Sequence, residues 1–329
     1  MEWYIFHPAD TLFFRGTESL EMGMDHFATT LFPPPISVLY GAVRSTILRE
    51  KGINPKSFAE NKADEHLYKA LGRPAQSLEE LPFTIYGPFF WNDGKVFVPA
   101  PLLWYGVLVE DDGHRKKIRV RYLKPIAKEI PIRSSKPLLW QSRGSKDKIV
   151  SLNGKWVELT TIFRTVEDTE IEIFSDSHFF VQEPRTGLAL SRARKARTGH
   201  LYSLSHVRLI ESFSLCLGIA PNPGLQEQGI LFLGGENRFV RYKKHNLQFT
   251  VDTEGKKEGY FFAYTPIPAI GVSRESLVVT EKLQYRGGWD LAKGFHKPII
   301  AHFPAGSVFK SRISKHCLPI GKQEDHNEK

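Results

Sequence analysis

The chain has 329 residues, of which 41% are hydrophobic, 12% aromatic and 25% charged, with a net charge of +9. That balance excludes a disordered or fibrous polypeptide and suits one large or two ordinary globular domains. Two cysteines in unrelated contexts, Cys216 and Cys317, argue against a cysteine zinc site and a disulfide scaffold, and fit a reducing cytosol. The opening MEWYIFHPAD carries no basic leader, and no apolar run approaches the roughly eighteen residues a membrane span needs, so the expectation is a soluble, cytoplasmic protein.

In chain order, EWYIFH reads as an opening strand, after which DTLFFRG turns the chain. PPPISVLYGAVRSTILREKG is the clearest helix. Pro35 suits its first turn, Ile36, Leu39, Val43 and Ile47 recur at helical spacing, and Arg49, Lys51 and Gly52 mark its end. LPFTIYGPFFW and KVFVPAPLLW read as two strands joined by the hairpin turn NDG, and Pro99 and Pro101 make the second an edge strand or one that ends early. KWVELTTIFRTVED, EIEIF and HFFVQE follow as strand candidates. Beyond residue 186, HLYSLSHVRLIESFSLCLGIA is mostly strand-like, and YFFAYTPIPAI, SLVVTEKLQYRGGWDL and KPIIAHFPAGSVFK close the chain before a polar tail. Strand-rich halves with few helices predict an α+β fold with antiparallel sheets and long loops.

Charge is concentrated. Residues 113–148 hold twelve Lys or Arg against two acids, Glu129 and Asp147, which exceeds the net charge of the whole chain. RTGLALSRARKARTGH adds Arg185, Arg192, Arg194, Lys195 and Arg197 with no acid. One such run is as readily a solvated surface as a binding site. Two on a neutral body favour a polyanion, and an anionic membrane is disfavoured because neither run has an apolar helical face.

Two glycine pairs punctuate strand-like segments, Gly234-Gly235 in GILFLGGENRFVRYKKH and Gly287-Gly288 in YRGGWDLAKG. Paired glycines ending a strand either make a tight turn or expose consecutive amides as an anion-binding concavity, with Arg238 and Arg241, or Arg286, close by. Trp289 is ordinary core filling or a platform for a base. Neither GxxxxGK[ST] nor GxGxxG occurs, which excludes the standard mononucleotide and dinucleotide sites.

Taken together, HPADTLFFRG, PPPISVLYGAVRS, EPRTGLAL…HLYS, LGGENR, GGWDL…KP and PAGSVF, spanning residues 8 to 309, resemble the third Cmr subunit of type III-B CRISPR effector complexes, within the RAMP superfamily. The resemblance implies two ferredoxin-like (RNA-recognition-motif-like) domains with glycine-rich loops, placed at 1–185, with a basic insertion near 113–148, and at 186–329. It implies a scaffold that grips the repeat-derived 5′ handle of the CRISPR RNA, packs against the large polymerase/cyclase-like subunit and starts the filament of related backbone subunits, meeting target RNA indirectly. A projecting hairpin in such subunits displaces a nucleotide at the handle–guide junction, and 113–148 is the candidate for it or for a guide-facing loop. Carried over by motif, the RNA-facing residues are Arg15, Arg44, Arg185, Gly234, Gly235, Arg238, Gly287 and Gly288. For Arg44 a helix-surface salt bridge is the alternative, and Arg15 could equally brace the following turn. The aromatic octamer of ordinary RNA-recognition motifs is missing, so loops rather than a sheet face are the expected contacts.

Chemistry finds little support in the sequence. Metal-free RNA cleavage needs a general base and acid, usually histidine. His7 at the end of the first strand is the foremost candidate, with an ordinary surface or packed histidine as its alternative, and His7 and Asp10 do not suit a metal pair. No HExxH, GxSxG or acidic cluster appears. The expectation is a non-catalytic protein without metal or cofactor. A metal-independent endoribonuclease that processes CRISPR transcripts and a protein-interaction module for an acidic partner are the competing readings.

Overall fold

The computed structural model describes residues 1–16, 26–74, 76–113, 115–125, 139–141, 146–247, 259–290 and 295–321. The first thirteen strands labelled here are β1 (Glu2–Pro8), β2 (Thr84–Asn92), β3 (Lys95–Pro99), β4 (Trp104–Asp111), β5 (Arg115–Tyr122), β6 (Ile149–Ser151), β7 (Lys155–Glu158), β8 (Glu170–Ser175), β9 (Phe180–Leu190), β10 (Ala196–Leu209), β11 (Ser214–Ala220), β12 (Gln228–Phe232) and β13 (Phe239–His245). All but β9 and β10 form one antiparallel sheet in the order β12-β13-β1-β11-β2-β3-β7-β8-β5-β4-β6. β9 and β10 make a separate long hairpin, with the three-residue strand His26–Ala28 running parallel to β10.

β1 sits between two strands more than 200 residues away in sequence. Glu2 to Phe6 pair with Ile219 back to Leu215 of β11, and Trp3 to Pro8 pair with His245 back to Val240 of β13. Its side chains alternate between two cores: Tyr4 and Phe6 face the α1 side, Trp3 and Ile5 the other, and all four are essentially fully buried. A strand covered on both faces must be apolar at every position, which is why WYIF runs without alternation.

Helix α1 (Ile36–Glu50) covers the first face with Ile36, Leu39, Tyr40, Val43 and Ile47. Pro35 stands immediately before it in an extended conformation, and Gly52, at φ +70°, lets the chain leave the last turn. α2 (Pro55–Ala59) starts at Asn54, whose side chain accepts the Lys56 amide at 2.9 Å, and α3 (Glu65–Leu71) ends at Gly72. The opposite face is covered by a C-terminal unit built on β14 (Phe261–Ala263), β15 (Gln284–Asp290), β16 (Phe295–Phe303), β17 (Val308–Phe309) and β18 (Cys317–Pro319). Phe262, Tyr264, Val308 and Leu318 enter the core beneath Trp3 and Ile5. There Tyr264 donates to the Ile85 carbonyl at 3.0 Å and pairs with His316 Nδ1 at 2.9 Å, and burial pushes the His316 imidazole down to about 3. Both cysteines are buried and unbridged. No helix among the described residues is long and apolar enough to cross a membrane.

The strand-rich α+β expectation holds, while several local expectations need correction. A division at 185/186 falls inside β9, and the main sheet takes strands from both sides of it, because the two edges of β1 are filled by β11 and β13. The segment LTTIFR, read as strand for its β-branched run, is helix α4 (Leu159–Arg164), which buries Leu159 and Ile162 one turn apart. β3 does end at Pro99, but it is an interior strand between β2 and β7. NDG is the β2–β3 turn, with Asp93 at φ +43° and Gly94 at φ +79°, as a two-residue hairpin with left-handed residues requires.

The basic segment is described in part. Its first strand, β5, is interior, between β4 and β8, and further along Lys124 and Pro125 pair antiparallel with Trp140 and Leu139 outside that sheet. Six of its cations meet six acids: Arg115 with Asp112 and Glu172, Lys116 with Asp111, Lys117 and Arg119 with Glu170, Arg121 with Asp168, and Lys124 with Glu167, at 2.7–3.2 Å. Residues 126–138 and 142–145 of this segment lie outside the described residues.

Phe90 on β2 is fully buried, stacked on Phe179 at 4.4 Å and edge-on to Trp156 at 4.6 Å. Phe90→Ala removes this junction of the sheet with the hairpin base and should cost about 3–5 kcal/mol of unfolding free energy by urea titration of the whole chain. A loss under about 1 kcal/mol would contradict this packing.

Candidate nucleic-acid interface

Three segments converge beside the C-terminal end of β1: residues 9–15, the paired strands β9 and β10, and the loop between β12 and β13. Leu12 exchanges both backbone hydrogen bonds with Val207 of β10, at 2.8 and 2.9 Å, and this lays Asp10 to Phe13 along the edge of β10 that β9 leaves open. The hairpin register sets Glu183 opposite His206, Arg185 opposite Leu204 and Val181 opposite Arg208. Glu183, Arg185, His206 and Arg208 therefore share one face of the hairpin.

Asp10 is the hub. Its Oδ2 accepts from Arg238 Nη1 at 2.6 Å and Arg185 Nη2 at 3.3 Å, and its Oδ1 accepts from Arg208 Nη2 at 3.0 Å. Glu183 accepts from Arg185 at 2.7 Å and from Arg208 Nε at 2.6 Å. Burial alone would raise the Asp10 carboxyl, yet the Thr11 amide and the guanidinium groups outweigh it and bring it down to about 2. The hydrogen bonds from Arg208 and Arg185 bring Glu183 to about 2 as well. His206 lies beneath, 1% exposed, stacked on Phe13 at 5.3 Å, paired with Thr11 Oγ1 at 3.0 Å and 3.3 Å from Glu236. Desolvation holds its imidazole below the usual range even though Glu236 opposes that shift. The arginines stay part-exposed, at 34% for Arg185, 45% for Arg208 and 20% for Arg238, so their outer edges can still meet a solvent-side anion.

The first glycine pair has a steric reason. Gly234 adopts φ +89°, and a Cβ there would stand 2.5 Å from the Phe13 carbonyl oxygen. The Gly235 amide donates to that same oxygen at 2.8 Å. Glu236 and Asn237 follow with φ +55° and +53°, and Arg238 N closes the turn onto Gly235 O at 3.2 Å, the geometry of a type I′ turn. The pair thus does not present two free amides, because one of them docks segment 9–15. Arg238 is the loop's cation, its guanidinium held by Asp10 at 2.6 Å and Glu236 at 3.4 Å.

Arg185, Gly234, Gly235 and Arg238 come together, Arg15 ends the converging segment 9–15, and Arg44, Gly287 and Gly288 belong to other parts of the fold. Arg44 is half-buried, its Nη2 donating to Gly72 O at 2.8 Å and its guanidinium 5.2 Å from the Phe58 ring, so it ties α1 to α2 and α3. Arg15 is exposed and its backbone bridges Thr30. Gly287 and Gly288 lie within β15 rather than at a strand end, beside a bulge where β16 carries Pro298, and both are exposed. Arg286, half-buried there, donates to Gln284 and is lowered to about 10 by desolvation. His7 pairs with Ser214 Oγ at 2.7 Å and is lowered by desolvation and then by His245. Among the described residues no His, Cys, Asp and Glu cluster suits a metal.

Sequence reading missed Arg208, Glu183, Glu236, His206 and the hub role of Asp10. The signal available was period two: Glu183-x-Arg185 and His206-x-Arg208 each put both residues on one face of a strand. The tip of the hairpin carries Arg192, Arg194 and Lys195, all exposed and without an ion pair among the described residues. Arg194 sits at φ +57°, and Ser191 closes the turn with Lys195. Strands of 11 and 14 residues carry this tip, a reach on the order of 35 Å.

The profile of the CRISPR-associated protein family Cas_Cmr3 matches residues 4–314. No curated protein matches. A chain in the cryo-EM structure of the type III-B Cmr-beta bound to cognate target RNA superposes with a TM-score of 0.54 at 18% identity, over 94% of this chain and 86% of that one. A chain of the same particle bound to cognate target RNA and AMPPnP, state 1, gives 0.53 at 17% identity over the same shares. At such identity the likeness is one of fold.

Two expectations can be measured on the isolated chain. Folded Asp10 and Glu183 have depressed pKa values, so their contribution to stability is present above about pH 4 and is lost as pH falls through about 2. The Asp10→Asn, Glu183→Gln double variant should be less stable at pH 7 and show a flatter decline from pH 5 to 2; an unchanged slope in acid unfolding would contradict the ion-pair hub. Gly234→Ala should cost about 1–3 kcal/mol, from left-handed strain and the clash with Phe13. Gly288→Ala, whose Cβ meets only Lys297 Cδ at 3.6 Å, should change melting little; equal effects would contradict this assignment.

Proposed function

The chain belongs to the Cas_Cmr3 family of CRISPR-associated proteins, and from that premise we propose that it is a non-catalytic, RNA-binding scaffold subunit of a type III-B CRISPR (Cmr) effector complex. It holds the repeat-derived 5′ handle of the CRISPR RNA, docks the large polymerase/cyclase-like subunit beside the backbone subunits, and serves cytoplasmic defence against foreign RNA. The structural likeness to chains of RNA-bound Cmr-beta particles supports a place in such a particle.

The observation that carries the reading is a convergence. Arg185 and Arg238, 53 residues apart in sequence, meet Arg208 around Asp10, below a hairpin whose tip bears Arg192, Arg194 and Lys195. A planar guanidinium held on one side by a carboxylate keeps its remaining donors in a fixed orientation, which suits a phosphate approaching from solvent. The β9–β10 hairpin is a second candidate, beside residues 124–140, for the projecting hairpin that the resemblance implies. The strand order β13-β1-β11-β2, with α1 in the first crossover, supports one ferredoxin-like unit whose second helix is replaced by residues 221–227. Catalysis has no support in the geometry: His206 is sealed beneath Phe13, and His7 is engaged by Ser214 outside the arginine cluster.

Binding of a short single-stranded repeat RNA should therefore depend steeply on salt. Five phosphate contacts give a log–log slope of about −3.5, and each contact removed lowers its magnitude by roughly 0.7. Arg185→Ala with Arg238→Ala should reduce both affinity and slope; a flat salt response in the parent chain would overturn the reading. Repeat RNA incubated with the protein in EDTA should remain uncut, and cleavage that disappears in His7→Ala would establish the endoribonuclease instead.

A further inference from the structure

β12 is the outermost strand of the eleven-stranded sheet, and its outer edge is unpaired among the described residues. The register shows which groups face outward. Lys244 N donates to Glu227 O at 2.6 Å and Leu233 N to Arg238 O at 2.8 Å, so odd-numbered residues of this hairpin arm bond inward to β13. Antiparallel pairs alternate, which turns the N–H and C=O of Gln228, Ile230 and Phe232 toward the open edge. Leu231 and Leu233 enter the core with α1, so alternation turns Gln228 and Ile230 to the other face, while the Phe232 ring at the strand's end lies 4.7 Å from the guanidinium of Arg49 of α1. Ile230 is 57% exposed and Phe232 46%, and Phe239, directly opposite Phe232, is 39% exposed.

Such an edge invites pairing, and natural proteins protect it with proline, an inward charge or a bulge. β12 has none of these: its sequence is Gln-Gly-Ile-Leu-Phe in even register with β13. The cations lie beside the apolar patch instead. Arg241 stands opposite Ile230, Lys243 opposite Gln228, and Arg49 reaches over the Phe232 ring at 4.7 Å. None of the three forms an ion pair among the described residues.

We propose that β12 is the docking edge for an extended segment of a neighbouring protein subunit, one that alternates apolar and acidic side chains and adds as a further antiparallel or parallel strand. Main-chain hydrogen bonds to Gln228, Ile230 and Phe232 supply the pairing. The partner's apolar residues cover Ile230, Phe232 and Phe239, and its carboxylates meet Arg241, Lys243 and Arg49. An RNA strand fits less well, since it has no ladder to match three outward peptide groups and gains little on an isoleucine. The inference rests on the reading that the chain works within a multi-subunit particle, but on residues separate from the Asp10 cluster.

The test is residue-resolved hydrogen exchange, on the free chain and on the chain in its purified ribonucleoprotein particle. The free chain is also titrated with an eight-residue acetylated peptide of alternating valine and glutamate. The amides of Gln228, Ile230 and Phe232 should slow by at least about tenfold in the particle and with the peptide. Ile230→Lys, on an exposed side chain, should abolish the peptide effect and lower the chain's occupancy in the particle, with melting and RNA affinity unchanged. Free-chain exchange rates at all three amides in both arms would overturn the inference, as would protection by repeat RNA alone. Peptide protection with no particle recovered would uphold this edge while removing the assembly reading.

Discussion

The double pairing of β1 is the constraint on which the rest depends. A seven-residue strand, apolar on both faces, is completed on one edge by β11 and on the other by β13, both drawn from residues beyond 210. Because antiparallel register moves every side chain when it slips by one residue, the two ladders fix where the chain leaves β1. Asp10 is two residues past that exit. Its contact with arginines from β9, β10 and the β12–β13 loop follows from the ladders together with the Leu12–Val207 bridge. The same pairing joins strands from before and after residue 185 in one sheet.

Charge in this protein is organised by sheet position more than by sequence density. The richest basic stretch is largely neutralised in its described part, since β5 lies between β4 and β8 and neighbouring strands present acids to it. Each such exposed pair contributes little to stability, but the set balances the charge of β5 itself. Among the described residues, the hairpin tip with Arg192, Arg194 and Lys195 and the part-exposed arginines around Asp10 are candidates for a polyanion. The acids there hold guanidinium planes at fixed angles, with Arg185 34% and Arg208 45% exposed, a pre-organisation that free surface lysines do not provide.

Much of the scaffold was legible. β1, α1 and the NDG hairpin follow from apolar periodicity, a proline before the first turn and left-handed turn residues, all of which act over a few neighbours. The helix at Leu159–Arg164 was hidden because Thr160, Thr161 and Ile162 favour strand locally, and only the packing of Leu159 and Ile162 decides otherwise. The acids facing β5 were hidden because Glu170 and Glu172 come some fifty residues later and pair through register, which linear spacing does not reveal. Of the site, Arg185 and the Gly234–Arg238 loop were named from motif, while Arg208, Glu183 and His206 required the β9–β10 register. The glycine pair was read either as a tight turn or as bare backbone for an anion; it opens a tight turn, and the close approach of Phe13 that also constrains it is a long-range contact.

The central claim is that the RNA backbone lies across the arginines gathered at Asp10 and along the β9–β10 hairpin. Photo-crosslinking of 4-thiouridine placed in the repeat-derived 5′ end of CRISPR RNA, within the assembled particle, tests it most directly. The account predicts crosslinked peptides from residues 9–15, 183–208 and 233–238. Crosslinks confined to other parts of this chain, or to other subunits alone, would contradict it.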